Sequence, residues 1–176
     1  PASIAATHPK LRVVQGDVTK PETLAAVAGH DAVLVILTPP SGKGVVDTFS
    51  VGATNVTRAM EQHAVSRLYF VTSGAVVDDP QLPFVFRRII KPLFMSKIYA
   101  DAARAESIIR ASSLAWSIVR PPGLDDKPKR GTYRVSPEFM PPKSEAYMSR
   151  ADRSFGVVYA RANSDAYVHC AAALGY

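Results

Sequence analysis

Cysteine is almost missing from this chain. The single Cys170 excludes an internal disulfide and suits a reducing compartment, so the expected location is cytoplasmic. Long hydrophobic runs are missing too. No apolar stretch is long enough to span a bilayer as a helix, which argues against stable membrane insertion of that kind. The four histidines lie far apart and show no ligand spacing, so no metal site is expected. Glycine is thin, at ten residues, and none of it builds a Gly-rich junction between a strand and a helix. Gly42-Lys43-Gly44 follows an apolar run but has the spacing of neither phosphate-binding motif. Internal repeats and low-complexity tracts are lacking as well.

What is present is an ordinary globular composition, 47% apolar and 20% charged over 176 residues. That length fits one domain with a sizeable core. Lys and Arg exceed Asp and Glu by 21 to 15, a formal charge of +6. The basic residues are scattered, with small clusters at Arg87-Arg88-Lys91 and Lys127-Lys129-Arg130. Aromatic residues do not interleave with them in a stripe, so nucleic acid is not an expected partner.

Along the chain, Leu11–Gln15 reads as a short buried strand. Thr19-Lys20-Pro21-Glu22 has the form of a capping box, opening a helix to about Ala28. The run "AVLVIL" at 32–37 is a continuous apolar strand of the kind covered on both faces, which points to a parallel sheet. Helical spacing of small and apolar residues predicts a helix from 45 to about 63. Strands follow at 67–72 and 116–120, separated by an irregular, Pro-rich stretch at 78–97 and a helix at 98–112. A short strand at 132–135, a helix opened by Ser149-x-x-Asp152 and running to about 163, and a last strand at 166–173 complete the reading. Strands alternating with helices mean an α/β fold with a mostly parallel, doubly wound sheet. Ligands of such sheets bind outside the carboxyl ends of the strands. Four places are therefore singled out: Gly16-Asp17-Val18, Thr38-Pro39-Pro40, Thr72-Ser73-Gly74 and Pro121-Pro122-Gly123.

These strand ends carry a pattern: "GDV" at 16–18, "DAVLVILTPP" at 31–40, "RLYFVTSG" at 67–74 and "YADAARAESIIRASSLAWSIVRPPGLDD" at 99–126. With "GTYRV" at 131–135 and "MSRAD" at 148–152, the chain resembles the NAD(P)H-binding, atypical short-chain dehydrogenase/reductase group, which includes NmrA-like proteins and flavin/biliverdin-type reductases. The resemblance covers nearly the whole chain and implies a Rossmann-like fold. It also implies that a first strand-helix-strand unit carrying the Gly-rich loop, about 30 residues by the size of such a unit, is lacking from a single domain spanning 1–176.

The resemblance implies NADP or NAD as cofactor. Asp17 and Val18 would meet the adenine; a cap for the helix after it is the plain alternative for Asp17. Leu37, Thr38 and Pro39 would flank the ribose and nicotinamide side, or form only a stiff strand exit, since the prolines lack N–H donors. Thr72 and Ser73 stand where the group places an active-site hydroxyl; a turn serine is the plain alternative. Pro122, Gly123 and Leu124 resemble the loop that closes over the nicotinamide. The Tyr-x-x-x-Lys acid pair of the group is missing: Ala102 holds the lysine-like place. Tyr99, one turn earlier, is the remaining candidate acid beside Ser73. Hydride transfer to a flavin-, quinone- or carbonyl-type small molecule needs little acid help when the acceptor is well positioned. A non-catalytic NAD(P)-sensing protein is the alternative. The insert at 80–98 reads as a substrate lid, a homodimer contact, a membrane-surface element or ordinary packing, and Pro92 argues against a long amphipathic helix there.

Overall fold

The computed structural model describes residues 8–38, 46–152 and 167–176. In chain order its strands are β1 (Ala32–Ile36), β2 (Arg67–Val71), β3 (Ala115–Arg120), β4 (Gly123–Asp125), β5 (Arg134–Pro137), β6 (Tyr147–Ser149) and β7 (Cys170–Gly175). Its α-helices are α1 (Thr48–Gln62) and α2 (Ser96–Ala111). The main sheet has the order β1-β2-β3-β7-β5. Ala32 pairs with Arg67, Arg67 with Ala115 and Ser117 with Cys170, all in parallel, and β5 closes the far edge antiparallel to β7. The mostly parallel, Rossmann-like α/β fold expected from the sequence is the fold observed.

Strand periodicity divides the packing. Leu68 and Phe70 of β2, Trp116 and Ile118 of β3, and Ala171 of β7 meet Ala53, Val56 and Met60 of α1 and Ala105 and Ile109 of α2. Each large side chain buried there contributes about 1.5–3 kcal/mol. The alternate residues Val71, Val119 and Leu174 pack with Met148 and the partly buried Leu124 in a second cluster. Helix α1 is not capped by its own Asp47. Instead Asp101 of α2, fully buried, accepts from the Phe49 amide at 2.8 Å and the Ser50 hydroxyl at 2.5 Å. A carboxylate at a helix N-terminus satisfies otherwise orphaned donors.

Four expectations need correction. Leu11–Gln15 forms no strand: no backbone ladder pairs with it, and Leu11, Val13 and Val14 are exposed. An apolar run without a neighbour for its N–H and C=O groups gains nothing from the extended pairing geometry. The Thr19 capping box is not made either. The Thr19 amide and hydroxyl both donate to Asp17 Oδ1, and the element that follows is a short 3-10 helix, Pro21–Val27. The irregular stretch before α2 contains a ten-residue π-helix, Phe86–Met95, which runs through Pro92 and straight into α2.

Strand β6 ends at Ser149, whose Oγ accepts from the Ala151 amide at 3.1 Å. Ser149 Oγ donates to the Lys127 carbonyl at 2.6 Å, and Asp152 accepts from the amides of Arg130 and Gly131, each at 2.6 Å. The helix expected to continue to 163 falls on residues outside those described, as do Pro39 and Pro40. The last strand starts at Cys170, four residues later than expected, after His169 adopts a left-handed backbone with φ of 57°.

Candidate functional site

Two concavities lie at the carboxyl ends of the strands. The first, of about 1020 Å³, is open and bounded by residues 15–20, Thr23, Ile36, Leu37, Thr38 and Thr48. Its floor is set by α1. A Cβ at Gly52 would stand 2.9 Å from Leu37 Cδ1 and 3.0 Å from Val18 Cγ2, so only glycine lets the helix come this close. Asn55 Nδ2 donates to the Val18 carbonyl at 3.0 Å and fixes the loop on that helix. Asp17 Oδ1 takes the Thr19 hydroxyl at 2.7 Å and the Thr19 amide at 2.9 Å. The hydroxyl bond, then the amide bond, hold the Asp17 carboxyl below its ordinary 3.8, so it stands ionised with Oδ2 turned to no partner among the described residues. Asp17, Val18, Leu37 and Thr38 thus share one cleft. Its donor set is an anionic oxygen, hydroxyls, one lysine and apolar walls. That set fits the adenosine end of a dinucleotide; among the described residues the lining includes no glycine-rich turn of the kind that cradles a pyrophosphate.

The second concavity, about 470 Å³, is more enclosed. Ser73, Tyr99, Pro122 and Gly123 line it with Leu82, Val85, Phe86, Ile90, Met95 and Tyr147. Ser73 sits after β2, where its Oγ accepts from the Ala75 amide at 3.2 Å and starts a short 3-10 turn. Burial pushes the Tyr99 phenol above its ordinary 10.0, and the nearby Ser73 hydroxyl offsets part of that rise. Phe86 meets the Tyr99 ring edge-on, centroids 6.4 Å apart. Lys91 Nζ stands 5.6 Å from the same ring centroid but donates to the Val77 carbonyl at 3.1 Å. Burial lowers Lys91 from 10.5. At Gly123 a Cβ would meet the Tyr147 ring at 2.8 Å, so glycine is what allows β4 to run beneath that ring.

The remaining predicted residues lie elsewhere. The Leu124 side chain joins the second core cluster rather than either cleft. The Thr72 hydroxyl donates to Glu106 Oε1 at 2.7 Å. Glu106 is itself buried and paired with buried Arg120, Nε to Oε1 at 3.0 Å and Nη2 to Oε2 at 2.5 Å. Arg120 Nη1 also donates to the Glu138 carbonyl at 3.0 Å. Thr72 and Arg120 therefore hold the ends of β2 and β3 to α2 beneath the cleft. Ala102 is buried in the core. Sequence reasoning missed Glu106 and Tyr147. Only Glu106 had a signal: an arginine ending a buried strand requires an acid, and Glu106 lies on the inward face of α2 beside Ala102, Ala105 and Ile109. Among the described residues no cluster of His, Cys, Asp and Glu could hold a metal ion, and no helix is long and apolar enough to cross a membrane.

Residues 1–158 match the sequence profile described as NAD(P)H-binding. An uncharacterised chloroplastic protein of Arabidopsis thaliana is 30% identical over 143 residues, 74% of this chain and 49% of that protein. An uncharacterised sugar epimerase of Bacillus subtilis is 27% identical over 135 residues, 75% of this chain and 58% of that protein. The chain thus spans half to three fifths of the length of these relatives. In fold it is similar to a short-chain dehydrogenase/reductase from Veillonella parvula solved in complex with NADP. The TM-score is 0.78 at 17% identity, over 96% of this chain and 74% of that one. With the parallel sheet, the clefts at its carboxyl edge and a profile match over most of its length, the chain belongs to the NAD(P)H-binding family and carries that family's Rossmann fold.

Proposed function

We propose that this protein is an NAD(P)H-dependent reductase of the atypical short-chain type, acting on a flavin-, quinone- or carbonyl-type small molecule. The observation that carries this reading is that Ser73 and Tyr99 line one apolar cleft at the ends of β2 and β3. It lies on the same sheet edge as the Asp17 cleft. Asp17, Val18, Leu37 and Thr38 would hold the adenosine end of the cofactor, and Thr72, Pro122 and Gly123 would border its other end. Bound NAD(P)H supplies a hydride. The two hydroxyls orient the acceptor oxygen, and Tyr99, kept as a neutral phenol by burial, can give it a proton. The walls from Leu82, Phe86, Met95 and Tyr147 keep water away from the acceptor. The test is NADPH consumption, followed by its ultraviolet absorbance, with flavin mononucleotide, quinones and aldehydes offered in turn. Turnover with one class supports the reading; measurable cofactor binding with no turnover on any class sinks it.

One observation favours a second reading, a non-catalytic NAD(P)-sensing protein. No ammonium lowers the Tyr99 phenol: Ala102 fills the lysine-like place, and Lys91 is turned to the Val77 carbonyl. Under this reading cofactor binding persists in the Ser73→Ala and Tyr99→Phe variants and no acceptor is reduced by the parent chain.

A further inference from the structure

The insert at 80–98 carries Arg87, Arg88, Lys91 and Lys97 and no Asp or Glu. The i→i+5 bonding of a π-helix brings residues four and five apart onto one face, and this period sorts the segment Phe86–Met95. Phe86, Lys91 and Met95 are half-buried and turned to the Tyr99 cleft. Phe84-Val85, Ile89-Ile90 and Leu93-Phe94 form an outward stripe. Phe84 is 72% exposed, Leu93 70% and Phe94 78%, the three most exposed large apolar side chains among the described residues. Pro92, which would break an α-helix, is itself exposed.

The cations divide in the same way. Arg87 is held by Asp78 at 2.7 and 2.9 Å, and Lys91 by the Val77 carbonyl. Arg88 and Lys97 are exposed and make no hydrogen bond or ion pair among the described residues, although the Arg88 charge is felt at Asp78. Val85 and Ile90 belong both to the outward stripe and to the lining of the cleft, so the cleft opens beside the stripe.

We propose that residues 83–97 dock this protein on the surface of an anionic lipid bilayer. The stripe enters the interface, Arg88 and Lys97 meet lipid phosphates, and the mouth of the cleft lies against the membrane. Strong segregation of apolar and basic side chains at modest overall hydrophobicity marks a segment that lies on a bilayer rather than crosses it. Charge selects the occupant. A second copy meeting this face about a two-fold axis would bring the same unpaired cations together, with no carboxylate in the segment to relieve them. An anionic lipid surface supplies the missing charge. The proposal does not depend on the reductase reading.

The experiment is co-sedimentation of the full chain with vesicles of phosphatidylcholine alone or mixed with phosphatidylserine. Partitioning to the mixed vesicles should exceed that to neutral ones by about tenfold or more and fall as salt is raised. The L93S/F94S variant should lose binding with its melting temperature unchanged, because both side chains are exposed. The R88E/K97E variant keeps the stripe and should lose the preference for anionic lipid; it also serves as the probe if L93S/F94S folds poorly. Absence of binding to mixed vesicles overturns the proposal, as does binding of equal strength to neutral vesicles. A concentration-dependent dimer that L93S/F94S abolishes, with no lipid binding by the parent chain, overturns it in favour of self-association.

Discussion

Tyr99 differs from the acid that its position suggests. Its phenol is raised by burial, with the Ser73 hydroxyl pulling the other way, so it remains protonated through the neutral range. A group that must be protonated to act loses function as pH rises through its pKa. The rate of carbonyl reduction should therefore be flat with respect to this group from pH 6 to 9 and fall only above its ordinary 10.0. Tyr99→Phe should lower turnover on carbonyl acceptors by about 10²-fold and remove that alkaline limb. Quinone or flavin reduction, which relies on positioning, should change by less than about tenfold. A pH profile of the parent that already falls near neutrality would show that another group donates the proton. Asp17 differs in kind: its perturbation comes from local bonds to Thr19, so its ionisation follows from a turn and not from a ligand.

At the level of elements, α1 depends on a residue from a different helix. Asp101 caps it across the α1–α2 contact, while its own Asp47 makes no side-chain bond. Asp101→Ala should cost about 1–2 kcal/mol, the value of an N-cap at the upper end. The lost ion pair with Arg104 adds little, because Arg104 is largely exposed. Urea unfolding gives the cost, and amide exchange should accelerate at Phe49 first; unchanged exchange there would show that the cap is not what holds the helix start. This contact was illegible in the sequence, where Asp47 is the obvious cap by proximity. The parallel strands were legible because apolar runs such as "AVLVIL" signal a strand in any parallel sheet, although β1 stands at the sheet edge with Leu34 and Ile36 exposed rather than covered on both faces. "LRVVQ" carries the same local signal, yet it forms no strand, because pairing is a property of the neighbour and not of the run. The π-helix was hidden for a different reason. Pro92 reads as a break in any helix there, although the helix runs through it. Both clefts lie at strand ends, which the topology rule locates from sequence. Which residues turn into the second cleft is decided by the π-helical form of the insert and by Tyr147.

Across the molecule, one buried network ties the parts that carry the second cleft. Arg120 ends β3, Glu106 comes from α2, Thr72 ends β2, and the Glu138 carbonyl belongs to the loop after β5. Asp79, also fully buried, makes a parallel tie by accepting from the Gln81 and Met140 amides at 2.8 and 2.6 Å. An ion pair this deep carries a desolvation cost that largely offsets its attraction, so its presence argues for fixed geometry more than for net stability. Removing one partner is different from removing both. Arg120→Met leaves the Glu106 carboxylate buried with Thr72 alone among the side chains shown to bond it, and should cost about 3–5 kcal/mol. Adding Glu106→Leu should return much of that loss, because no uncompensated charge remains. Urea unfolding of the parent, both single variants and the double variant measures the coupling directly. If the double variant loses as much as the two single variants combined, the pair is not coupled and the network does not hold the sheet ends as a unit. If stability returns in the double variant while NADPH turnover does not, the network's role is to position Ser73 and Pro122 at the carboxyl edge of the sheet.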